Sequence, residues 1–110
     1  MITNKTKKII LEEEYKYCNN PLSQLKGLMF SKPKTLIFDF KKEKKISLHM
    51  LFVFFPIDIL FLNNNKEVIE IKKLKPFTFY NSKKLARYVI EFPYKKLDKN
   101  NISIGDKIEF

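Results

Sequence analysis

Very little in this 110-residue chain suits covalent or metal chemistry: it holds one cysteine (Cys18), one histidine (His49), one arginine (Arg87) and two glycines. A lone cysteine excludes an internal disulfide framework, so stability must come from burial, and a reducing, cytoplasmic setting is expected. With so few glycines there is no Gly-rich loop to cradle a phosphate. One histidine cannot supply a usual zinc set unless Cys18 and distant carboxylates join it, so no metal and no cofactor are expected. The basic residues are twenty-one lysines against one arginine, and the planar fork that reads base edges and clamps phosphates is therefore nearly missing. No apolar stretch of secretory length follows Met1, which predicts no signal peptide.

What the chain does have is apolar bulk. Hydrophobic residues make up 45% of it, with thirteen isoleucines and eleven phenylalanines. That is enough for one core, in a single domain over 1–110 that buries roughly 60–70% of its unfolded surface. The net charge of +10 invites a nucleic-acid reading through the runs "KKEKK" (41–45), Lys72-Lys73 and Lys83-Lys84. Without arginine, the plainer reading is a solvated basic surface that adheres weakly to polyanions.

Short β-branched and aromatic runs recur between Asn, Pro, Lys and Gly, which is the rhythm of an all-β domain. "KKIIL" (7–11), "EYKYC" (14–18), "TLIFDF" (35–40), "EVIEI" (67–71), "LKPFTFY" (74–80), "ARYVIEF" (86–92) and the closing "ISIGDKIEF" read as strands. "KKEKK" reads as a charged turn, and "NNN" (63–65) as a hairpin loop tolerating positive φ. Alternation in "EVIEI" leaves Val68 partly exposed. In "ARYVIEF" it turns Tyr88, Ile90 and Phe92 to the core, and Arg87 and Glu91 to water, where the two can pair. "NNPLSQLKG" breaks the pattern: Asn20 can cap, Pro21 suits a first helical position and Gly27 can close, which predicts a short helix. "YKKLDKNN" (94–101) fits one helical turn or a loop. The expected architecture is a sandwich or partly closed barrel of about seven or more short strands with one or two short helices.

The segment "SLHMLFVFFPIDILFL" (47–62) carries most of the interest. Its fifteen residues from Leu48 to Leu62 fall short of the roughly twenty a spanning helix needs, and Pro56 and Asp58 interrupt them. Two buried strands, 46–54 and 57–62, turning at Pro56 are expected instead. His49 and Asp58 would then be buried polar groups in need of partners. Either Asp58 accepts backbone N–H groups at the corner beside a satisfied core histidine, or the two form an acid–base pair.

"LKGLMF" (25–30), His49-Met50, "FPIDILFL" (55–62), "ARYVIEFP" (86–93) and "ISIGDKI" (102–108) occur in that order. Together they resemble the domain of unknown function 192 family, over nearly the whole chain. The resemblance implies a compact β-sandwich or barrel-like domain with one or two short helices, in a short intracellular form, and no activity to carry over. This sequence departs from the family pattern in two places. Leu51, Phe52 and Val53 replace a polar run after Met50, and Tyr94 and Lys95 stand where a glycine usually follows Pro93.

Three functions stay open. The first is a small soluble, monomeric, non-enzymatic binding or accessory protein, whose candidate surface gathers Gly27, Met29, His49, Met50 and Asp58. The second is a small-molecule enzyme with His49 as base and Asp58 orienting it. The third is a weak nucleic-acid binder acting through the lysine-rich edges. Cys18 reads as a buried small hydrophobe, Tyr80 and Tyr94 as core-edge aromatics, and Asp106 as a turn residue.

Overall fold

The computed structural model describes residues 1–18, 34–49, 56–93 and 97–110, with the backbone alone for His49. Their ten strands are β1 (Ile2–Asn4), β2 (Ile9–Glu12), β3 (Lys16–Cys18), β4 (Leu36–Lys44), β5 (Ser47–His49), β6 (Ile57–Leu62), β7 (Val68–Leu74), β8 (Phe79–Asn81), β9 (Ala86–Pro93) and β10 (Ile108–Glu109). A central five-stranded sheet runs in the order β3-β4-β9-β6-β7. It is antiparallel except where β3 joins β4 in parallel. A three-stranded sheet β10-β1-β2 and a ribbon β5-β8 complete the domain. The result is a mainly β sandwich and not a closed barrel.

Both faces of the central sheet are covered, which explains the long apolar runs of its inner strands. On one face Leu36, Phe38, Ile57, Ile59, Phe61 and Val89 pack with Ile46 and Leu48 from the ribbon region. On the other, Ile37, Leu60, Leu62, Ile90 and Phe92 pack with Ile2 from β1, Ile108 from β10, and Leu97 and Ile102 from the loop between β9 and β10. We call these the ribbon face and the terminal face. All six residues of β6 are buried.

Several expectations need correction. Among the described residues there is no helix. The helix expected at 20–27 lies outside them, as do residues 50–55 of the apolar segment and Tyr94. Residues 98–101 form a tight turn, in which the Asn101 and Ile102 N–H groups reach the Asp98 carbonyl at 3.2 Å and Asp98 Oδ1 accepts the Asn100 N–H at 2.7 Å. The lysine run "KKEKK" is not a turn: β4 continues to Lys44, with a register shift after Asp39 and Lys41 at φ 73°. Val68 is buried, because the β10 end of the chain covers it and its N–H bonds the Asp106 carbonyl at 2.9 Å. The hairpin between β6 and β7 forms as expected, yet Lys66 takes the positive φ while the Asn63 side chain ties the turn. β1 was not anticipated.

The last turn places Gly105 at φ +93°, where a side chain would be strained. Asp106 does more than end this turn. Buried, it accepts Asn4 Nδ2 at 2.7 Å and the Ser103 N–H at 2.9 Å, and lies 3.1 Å from Lys7 Nζ. These bonds hold the two chain ends together and keep the Asp106 carboxyl below its ordinary pKa against the opposing effect of burial.

Candidate functional site

Asp58 lies on β6 opposite Phe92 of β9 and Lys73 of β7. Strand alternation sends its side chain to the terminal face, between the buried Ile57 and Ile59 of the ribbon face. There Oδ2 accepts the Leu97 N–H at 3.0 Å, and Oδ1 lies 3.6 Å from Lys73 Nζ. The Lys73 ammonium also donates to the Leu97 carbonyl at 3.3 Å. Asp58 thus accepts a backbone N–H, as one reading held, although the N–H belongs to the loop beyond β9 and not to the corner at Pro56. This anchored loop forms one wall of a cleft of about 350 Å³ lined by Asp58, Ile71, Lys73, Leu97, Asp98, Lys99 and Ile102. Its floor is aliphatic, and its charges are two acids and two lysines.

His49 ends β5, its backbone in register with Phe79 of β8. That ribbon packs on the face of the central sheet opposite to Asp58, as Leu48 shows. The side chain of His49, and all of Gly27, Met29 and Met50, lie outside what the structure describes. Among the described residues no group of three or more His, Cys, Asp or Glu side chains could hold a metal ion.

A second cluster holds the edge of the central sheet. The Asp39 carboxylate accepts Arg87 Nε at 3.0 Å, the Tyr17 hydroxyl at 2.7 Å and the Lys41 N–H at 2.8 Å. Arg87 and the other donors outweigh burial and hold Asp39 down at about 2. The Tyr17 hydroxyl is pushed up to about 12 by burial and by the neighbouring carboxylate. Arg87 therefore pairs with Asp39, and the expected pair of Arg87 with Glu91 is absent.

Glu91 is the larger departure. It is 3% exposed rather than facing water. β9 is the middle strand of the five, and Glu91 stands between Leu36 of β4 and Ile59 of β6 on the ribbon face. Burial raises its carboxyl to about 8. The one sequence signal for this was that "ARYVIEFP" is buried at nearly every position, as a central strand would be. Alternation alone could not reveal it.

The three lysine runs converge in space. Lys44 is in register with Ala86, Lys45 Nζ donates to the Lys83 carbonyl, and Lys72 sits 5.1 Å from the centre of the Tyr80 ring. Half-buried Tyr80 packs on Phe61 and donates to Glu70, whose other oxygen receives the Lys83 N–H at 2.9 Å.

The fold and site define a small mainly β domain with one aliphatic cleft and one isolated buried carboxyl. The chain belongs to the DUF192 family, described as Uncharacterized ACR, whose model matches residues 2–110. It is 38% identical to a UPF0127 protein of Pyrococcus furiosus over 110 residues, covering 97% of this chain and 95% of that one. It is 35% identical to a UPF0127 protein of Pyrococcus horikoshii, covering 100% and 98%. Two crystal structures share the fold. One is a Novosphingobium aromaticivorans protein of unknown function, at TM-score 0.76 and 23% identity over 87% of this chain and 74% of that one. The other is a Sinorhizobium meliloti protein provisionally described as a transcription regulator, at TM-score 0.75 and 22% identity over 86% and 79%. No described helix is long and apolar enough to cross a membrane.

Proposed function

We propose that this chain is a non-enzymatic binding domain, a single folding unit over 1–110, whose cleft takes a small, uncharged, largely apolar molecule. The observation that carries the reading is the engagement of Asp58. The carboxylate an enzyme would need free instead holds the Leu97 N–H and faces Lys73. Asp58 thereby builds the cleft and performs no chemistry in it. The volume of about 350 Å³ falls within the range of small-molecule sites. Ile71, Leu97 and Ile102 supply dispersion contacts, and two acids against two lysines leave no net charge to select an ion.

Titration of the ¹⁵N-labelled chain with 2-naphthol tests this. Saturable shifts centred on Ile71, Leu97 and Ile102, lost in Ile102→Asp, are expected. Shifts scattered over the surface, or an unchanged response in Ile102→Asp, would end the proposal. Gly27, Met29, His49 and Met50 belong to the reading as a further contact region, and an unaltered naphthol isotherm in His49→Ala would remove them from it.

A second reading, polyanion contact, is favoured by the convergence of Lys44, Lys45, Lys83 and Lys84 at one end of the sheet. It treats the partner as a charge pattern, without base readout.

A further inference from the structure

Four acidic side chains are buried among the described residues, and three are fully engaged. Asp39 has Arg87, Tyr17 and the Lys41 N–H; Asp58 has the Leu97 N–H and Lys73; Asp106 has Asn4, the Ser103 N–H and Lys7. Glu91 breaks the pattern, because its buried Oε2 has no hydrogen-bond partner. Its flanking residues in the sheet are Leu36 and Ile59, and Val89 shares its face of β9. The buried Cys18 thiol is close enough for the two groups to raise each other's cost of ionisation. An aliphatic side chain would fill this position with no unmet polar atom, so packing does not account for a carboxyl here. A buried polar group with no internal partner is placed to meet an external one.

We propose that Glu91 is the polar anchor of a ligand site on the ribbon face of the central sheet, engaging an uncharged group that both donates and accepts a hydrogen bond, such as a carboxamide. Two features choose this class. The carboxyl, raised to about 8 by burial, is mostly neutral at pH 7 and offers one O–H donor beside an acceptor, which matches an amide edge. The walls are aliphatic, and in the same row of the sheet the nearest cations are the exposed Lys16 and Lys72, two strands away on either side. An ammonium or carboxylate ligand would shed its water against Leu36 and Ile59 with little return. This site is separate from the Asp58 cleft, which opens on the opposite face.

The test uses the full chain with ¹³C-carboxyl glutamate and labelled Ile and Leu methyls, titrated with benzamide, benzylammonium and benzoate. Benzamide is expected to shift the Glu91 carboxyl and the Leu36 and Ile59 methyls saturably, at least tenfold more tightly than either charged probe. Glu91→Gln, which keeps a neutral donor and acceptor, should bind benzamide within about threefold. Glu91→Leu and Glu91→Met should lose it by tenfold or more while melting no lower than the parent. Equal benzamide binding by those two variants, a preference for benzylammonium, or no saturable shift at Glu91 would overturn the proposal. Shifts confined to Ile71 and Ile102 would overturn it as well, while leaving the cleft reading intact.

Discussion

Glu91→Gln should make the domain more stable, and increasingly so as pH rises. The carboxyl has an ordinary pKa of 4.5 and is raised to about 8 in the fold. Between those values the folded chain holds a proton that the unfolded chain has released. Unfolding stability then falls by about 1.4 kcal/mol per pH unit from this group alone. Its contribution is complete below pH 4.5 and is lost as pH rises through 8. The full loss is roughly 5 kcal/mol, of which about 3 is reached at pH 7, both upper estimates because the interior relaxes around a charge. Glutamine keeps the shape without the titration. Urea unfolding of both proteins at pH 5 and pH 8, followed by circular dichroism, checks the difference. The stability of Glu91→Gln relative to the parent should grow by roughly 3–4 kcal/mol between the two pH values. Asp39 and Asp106 titrate well below this window and are common to both proteins, so they cancel. A difference that stays flat with pH would refute the claim that Glu91 is buried without a counter-charge.

Asp106→Ala should cost roughly 3 kcal/mol at pH 7, measured by urea unfolding, because it strands Asn4 and the Ser103 N–H in the interior. Arg87→Ala leaves the Asp39 carboxylate buried with Tyr17 and one backbone donor. About 2 kcal/mol should be lost at neutral pH, reduced by water at the part-exposed guanidinium. Asp39 is held at about 2, so its stabilising contribution is present above its ordinary value of 3.8 and disappears as pH falls towards 2. Acid unfolding of Arg87→Ala should therefore be shallower than that of the parent. Replacing Lys45, Lys83 and Lys84 together by Gln should lower the salt needed to elute the chain from heparin, and an unchanged elution point would dismiss the lysine cluster as a polyanion surface.

Much of the architecture could be read from local pattern. β6 was expected at its observed bounds and β9 within one residue, because both are runs of β-branched and aromatic residues closed by Asn or Pro. The β6–β7 hairpin followed from three asparagines, although the tertiary fold moved the strained φ to Lys66. The charged run 41–45 misled, since charge marks exposure and not the end of a strand. Residues 42–44 stay extended because β4 outlasts its buried half and pairs Lys44 with Ala86. The candidate site was legible only in part. Asp58 could be recognised as a buried polar group in need of partners, but the Leu97 N–H it accepts lies 39 residues away.

Family membership, the strand-built core and the lack of a disulfide or Gly-rich phosphate loop are properties of the residues themselves, and the sequence alone determined them. Which side of β9 meets water is different in kind. A period of two divides Arg87, Val89 and Glu91 from Tyr88, Ile90 and Phe92, but it cannot say whether one face or both will be covered. That depends on β9 being the middle strand and on the β5–β8 ribbon, which packs against the face where Glu91 stands. Only the assembled sheet made a buried carboxyl of a residue whose neighbours in sequence place it on the wet side.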